Sequence, residues 1–189
     1  MKNILRICCY IFLAQFSVSA QELTFSEDLQ SLLQRTQIDI PTPLDTDYRS
    51  VKVSDRLAKY QSYDYAMRSR KEKLEVRFLL QPLDTLQQFY FPPNANFVRM
   101  LTHLASNDDE NIIAVHSMSE DDLREEFNAD WGQEALFTPK DNFSARTHCK
   151  MLMLHKEGVG DVFVFFLFDF PNAAWEKRYH ALRFTEVEE

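Results

Sequence analysis

Apolar and polar positions recur along this chain with two different periods, and the change of period marks its elements. Ser26 precedes a segment, 27–35, in which Leu29, Leu32 and Leu33 fall at i, i+3 and i+4, the single apolar stripe of a helix. The Ser26 hydroxyl can accept from the first free backbone N–H groups, and Pro41 and Pro43 forbid the helix from continuing. From Pro41 to Lys59 the pattern is weak, with one short strand expected over 49–53. Tyr63, Tyr65 and Met67 then alternate with Asp64, Ala66 and Arg68, and Leu74, Val76 and Phe78 alternate with Glu75 and Arg77 beyond the polar run 69–73. Period two on both sides of a polar turn predicts a β-hairpin.

Pro92-Pro93-Asn94 opens the clearest helix, with Phe97, Met100, Leu101, Leu104 and Ala105 on one stripe, Asn94 or Asn96 as its cap, and an end at 106–109. His103 falls away from that stripe. A short strand is expected over 111–116. Ser119 and Asp122 then give the Ser-x-x-Asp form of a capping box, opening a helix that packs through Leu123 and Phe127. Its acidic first turn, Glu120 to Asp122, complements the helix dipole and is read that way before any reading as metal ligands. Segments 147–156 and 161–169 form a second hairpin across Glu157-Gly158-Val159-Gly160, which holds two of the three glycines. Every residue from Val162 to Phe168 is apolar, so this strand is expected at the centre of its sheet with both faces covered. Trp175, Tyr179 and Phe184 mark a short helix and a last edge strand. The order predicts an α+β domain, a mainly antiparallel sheet with helices packed on it. With both faces covered it would be a three-layer sandwich similar to the MOG1/PsbP-like folds, a likeness of architecture that implies no function.

Residues 1–20 have Lys2 and Arg6, an apolar run from Ile7 to Ala14, and Val18-Ser19-Ala20 before Gln21-Glu22. A basic start, a short apolar core and small residues at the last and third-last positions are the form of a secretory signal peptide. Its style resembles the leaders of small exported proteins of the Bacteroidota, a resemblance of leader and size that transfers no functional residue. Cleavage after Ala20 leaves a single domain, 21–189, expected to be exported to the periplasm or beyond the cell. The full chain carries 21 Lys and Arg against 29 Asp and Glu, a net charge of −8, which moves to −10 when the leader's two cations depart. Phosphate neutralisation needs the opposite balance, so nucleic acid is not an expected partner. Three cysteines become one, Cys149, once Cys8 and Cys9 leave, so an intrachain disulfide is impossible and the core alone must hold the fold. No later segment is long and apolar enough for a transmembrane helix.

Candidate chemistry is sparse. Cys149 is flanked by His148, which alternation puts on the opposite face, and His155 lies six residues on, roughly 20 Å along an extended strand. That arrangement predicts a buried thiol more readily than a nucleophile. The five histidines show no zinc spacing, and Asp45-x-Asp47 and Asp108-Asp109-Glu110 are incomplete calcium loops, so neither a metal nor another cofactor is expected. Paired carboxylates for glycoside hydrolysis leave no mark in a sequence. The glycine-poor chain has no nucleophile elbow, phosphate loop or dinucleotide fingerprint. Four basic residues within 68–73 form either a contact patch for an anionic partner or a solvated hairpin tip. Asn142-Phe143-Ser144 matches the N-glycosylation acceptor, which has meaning only in a eukaryotic secretory pathway. Asp130 and Trp131, in the segment 128–132, form either a recognition surface or a helix end with Trp131 folded over Leu123 and Phe127. The expectation is an exported, non-catalytic binding or accessory domain of the cell envelope, for a protein or small-molecule partner. A hydrolase using carboxylates or Cys149 is the alternative.

Overall fold

A computed structural model describes residues 25–40, 47–51, 63–86, 91–169 and 172–185. The leader expected over 1–20, its Cys8 and Cys9, the prolines at 41 and 43, Asp45, and the end of the strand expected over 49–53 lie outside the described residues.

The elements follow in the order α1 (Glu27–Arg35), β1 (Ile38–Asp39), β2 (Tyr48–Ser50), β3 (Tyr65–Ser69), β4 (Leu74–Pro82), a single turn α2 (Leu83–Leu86) and α3 (Pro93–Leu104). Then come β5 (Ala114–Ser117), α4 (Glu120–Phe127), β6 (Trp131–Phe137), β7 (His148–Lys156), β8 (Gly160–Phe168), a short α5 (Ala174–Lys177) and β9 (Arg183–Phe184). Seven strands make one antiparallel sheet in the order β2-β3-β4-β8-β7-β6-β5. The fold class is α+β, and the sheet is covered on both faces. Leu29 of α1, Leu123 and Phe127 of α4, and Phe184 of β9 pack on one face against Val76, Phe78, Leu152, Val164 and Phe166. On the other, Phe97, Met100, Leu101 and Leu104 of α3 meet Cys149, Met151, Met153, Phe163 and Phe165. β8, apolar from Val162 to Phe168, sits at the centre and is buried from end to end.

The second hairpin forms as its glycines require. Gly160 has φ of 145°, and a Cβ there would lie 2.3 Å from the Gln81 carbonyl oxygen, so the crossing of β8 with β4 excludes any side chain. Ser26 caps α1 through Leu29 N–H, and Ser119 caps α4 through Asp122 N–H at 3.1 Å.

Four local expectations are corrected. Neither Asn94 nor Asn96 caps α3: the helix begins at Pro93, whose fixed φ suits a first turn, and Asn96 is drawn inward to buried partners. The strand expected over 111–116 begins at Ala114. The last strand does not join the sheet but pairs with β1 in a separate ribbon, Ile38 opposite Phe184. Segment 128–132 does contain the helix end, with Asn128 as the left-handed C-cap of α4, but Trp131 is not part of that end: it starts β6, which pairs with β7 along its length.

Candidate functional site

β2 is an outer strand of the sheet, and its register against β3 sets Arg49 directly opposite Arg68. Like charges so placed repel. Arg68 is neutralised: its Nε donates to Glu75 Oε2 at 2.7 Å and its guanidinium makes a second contact to the same oxygen. Glu75 is held on the other side by Arg77, whose Nε donates to Oε1 at 2.8 Å. Burial works against the charged form of Glu75, yet Arg77 and then Arg68 outweigh it and hold the carboxyl below its ordinary range. Arg77 also sits 4.5 Å from the Tyr63 ring centroid and 4.8 Å from that of Phe143, and donates to the Phe143 carbonyl at 2.6 Å. This fixed network anchors one wall of a concavity.

Arg49, Arg68, Arg70 and Lys71, with Asp47 and Ser50, line that concavity of about 560 Å³. Lys71 meets Asp47 at 3.0 Å, an exposed pair of little energetic weight. Among the described residues neither Arg49 nor Arg70 has an ion pair. The acid of the hairpin tip does not serve them, because Glu72 accepts from the Tyr48 hydroxyl at 2.5 Å and from Arg178 at 2.6 Å. Along the sequence, 49–73 holds eight Lys and Arg against three Asp and Glu, of which Arg49, Arg68, Arg70, Lys71 and Lys73 are the described basic residues, while the rest of the chain holds 13 against 26. The basic run at 68–73 signalled part of this surface. Arg49 completes it through a cross-strand register that no local pattern announces.

Asp130 and Trp131 lie at the start of β6 and point to different uses. The Asp130 carboxylate accepts from the Glu157 N–H at 2.7 Å, and its own N–H donates to the His155 carbonyl at 2.9 Å, closing the β6–β7 end of the sheet. Trp131 is half-buried and packs edge-on against Phe97 of α3, centroids 6.3 Å apart, not over Leu123 and Phe127. Strand parity decides this: Trp131 faces α3, and the next residue, Gly132, faces α4. A Cβ on Gly132 would stand 2.5 Å from Leu123 Cδ2.

Cys149 is fully buried, and burial pushes its thiol well above the ordinary cysteine range, against a smaller lowering by Arg77. His148 stacks on Phe168 on the opposite face. His155 Nδ1 is 2.7 Å from Asp161 Oδ1. Asp161 Oδ2 accepts from Asn96, which also donates to Gln81 at 2.9 Å and accepts from Arg99 at 2.8 Å. This cluster, which sequence reasoning missed, is internally satisfied and ties α3 to the β7–β8 hairpin. Its only sequence signal was that His155 and Asp161 flank the turn and pair directly. No group of three or more His, Cys, Asp or Glu able to hold a metal occurs among the described residues, and no helix among them is long and apolar enough to cross a membrane.

No family model, curated protein or solved structure matches the chain.

Proposed function

We propose that this is an exported, non-catalytic binding domain of the cell envelope whose basic concavity takes an anionic ligand bearing phosphate, sulfate or carboxylate groups. The observation that carries the reading is the pair of guanidiniums, Arg49 and Arg70, without an ion pair among the described residues, beside Arg68 and Lys71 in a chain that is otherwise strongly acidic. Guanidinium forks match the planar oxygens of such anions, and each charge-assisted hydrogen bond contributes about 1.5–3 kcal/mol. The one carboxylate among the lining residues, Asp47, is engaged by Lys71, and the Cys149 thiol is shut away with its thiolate disfavoured, which supports a binding role over a catalytic one.

Calorimetric titration with pyrophosphate and with citrate tests this. Saturable binding that weakens with added salt is expected for at least one of them. The double variant Arg49→Gln/Arg70→Gln should lose at least tenfold in affinity without losing melting temperature, because neither side chain has an ion pair to break and the Arg49–Arg68 repulsion is relieved. Absence of binding to both anions, or binding unchanged in the double variant, overturns the reading. Export is tested separately by sequencing the N-terminus of the protein recovered from the periplasm or medium, expected at Gln21.

A further inference from the structure

The far edge of the sheet has the opposite character. β5 pairs with β6 on one side, and among the described residues it is the last strand in that direction. Alternate residues of such a strand turn their N–H and C=O groups away from the sheet, where they stay unpaired. Outer strands are ordinarily guarded by lysine, proline or a bulge, and Ala114-Val115-His116-Ser117 has none of these. Apolar side chains are exposed instead: Ile112 at 84%, Ile113 at 44%, Val115 at 43% and, on the neighbouring strand, Leu136 at 37%. The lead-in is held in line with the sheet, since Asn111 Oδ1 accepts from the Thr138 N–H at 2.9 Å and its Nδ2 donates to the Ser106 carbonyl. The strand itself runs over four residues, or roughly 13 Å, with Ile112 and Ile113 leading into it.

Charge brackets it. Asp108-Asp109-Glu110 precede Ile112, and Glu120-Asp121-Asp122 follow Ser117, all exposed. Segment 106–126 holds eight acidic residues and one arginine, Arg124, which lies 3.7 Å from Asp121.

We propose that β5 is the docking edge for an extended segment of a partner protein, added as a further strand, with alternating apolar residues at its centre and lysine or arginine at both ends. Backbone hydrogen bonds supply the pairing, Ile113 and Val115 contact the apolar centre, and the two acidic triplets select the basic ends. A second copy of this chain is a poorer occupant. Antiparallel pairing of β5 with itself brings the triplet at 108–110 of one copy toward the triplet at 120–122 of the other.

The probe is a synthetic peptide of alternating valine and threonine with two lysines at each end, compared with the same peptide carrying glutamates there. The lysine peptide should bind one-to-one and slow amide exchange over 112–117 at least tenfold. Asp109→Asn/Glu110→Gln should weaken it severalfold without changing the melting temperature, and Ile113→Lys/Val115→Lys should abolish it while leaving pyrophosphate or citrate binding intact. No protection of 112–117 by the lysine peptide overturns the proposal. Equal binding of the glutamate peptide does the same, as does protection that grows with protein concentration when no peptide is present.

Discussion

Replacing Glu75 by glutamine removes the one charge that reconciles Arg68 and Arg77 while keeping the shape of the side chain. The Glu75 side chain is 3% exposed and that of Arg77 10%, so the variant leaves a guanidinium in a poorly solvated site with no counter-charge. Breaking one partner of such a pair costs about 3–5 kcal/mol, which for a chain of this size lowers the melting temperature by roughly 6–20 °C. Arg77 keeps its rings and the Phe143 carbonyl, which places the loss near the lower end. Because the folded carboxyl titrates below its ordinary value of 4.5, its contribution is complete above that pH and fades as pH falls through the lowered folded value. Glutamine imitates the protonated acid, so the gap between wild type and variant should be widest near neutrality and close on acidification. Anion binding should move the other way. Arg68, 45% exposed, loses its tether and joins Arg49 and Arg70, so pyrophosphate or citrate affinity rises severalfold at low ionic strength while stability falls. Paired thermal melts from pH 7 to pH 3, with titrations at neutral pH, read both effects. A variant melting within 2 °C of wild type at pH 7, a gap that does not change with pH, or a fall in affinity would each refute the reasoning.

Cys149, enclosed by Met151, Phe165 and their neighbours with its thiol titrating high, should resist thiol reagents in the folded protein and react fully in denaturant; Cys149→Ser should cost about 1–3 kcal/mol for a buried hydroxyl without a partner, read from chemical unfolding. Gly132→Ala puts a methyl 2.5 Å from Leu123 Cδ2 and 2.9 Å from Met118 Sδ, so the ends of those two side chains must turn away, at about 1 kcal/mol in the same assay. His155→Ala strips the buried Asp161 carboxylate of one partner and leaves it Asn96 alone; a loss of about 3 kcal/mol is expected, and His155→Gln, which retains a donor, should recover part of it.

What was legible in the chain was whatever a short window contains. Ser26 and Ser119 announced their helices because a cap acts within three residues, and the β7–β8 hairpin was readable from two glycines and an unbroken apolar run. β6 was not readable. Its residues Gly132, Gln133, Glu134 and Ala135 have weak strand preference, and they become a strand because β7 pairs with them, with Leu123 of α4 packed closely over Gly132. Asn96 looked like a cap because a polar residue early in a helix usually is one, whereas its role is set by Asp161, 65 residues away. Arg49 gained its meaning the same way, through a register fixed by β3 pairing. The β1–β9 ribbon joins segments near opposite ends of the described chain and has no local signature.

The two surfaces sit on opposite edges of one sheet, and that geometry decides how they influence each other. Six interstrand steps of about 4.8 Å separate β2 from β5, a distance of about 30 Å. The Debye length is roughly 8 Å at physiological ionic strength and about 30 Å at 0.01 M. An anion held by Arg49 and Arg70 makes the domain still more negative, which favours a basic segment at β5 only where that field survives the salt. Pyrophosphate or citrate should therefore tighten lysine-peptide binding measurably at 0.01 M salt and leave it unchanged at 0.15 M. Coupling that persists at 0.15 M would require a rearrangement transmitted through the buried β4, β8 and β7, both faces of which are close-packed. Independent edges of opposite charge would let the proposed anionic ligand and basic protein segment bind at the same time.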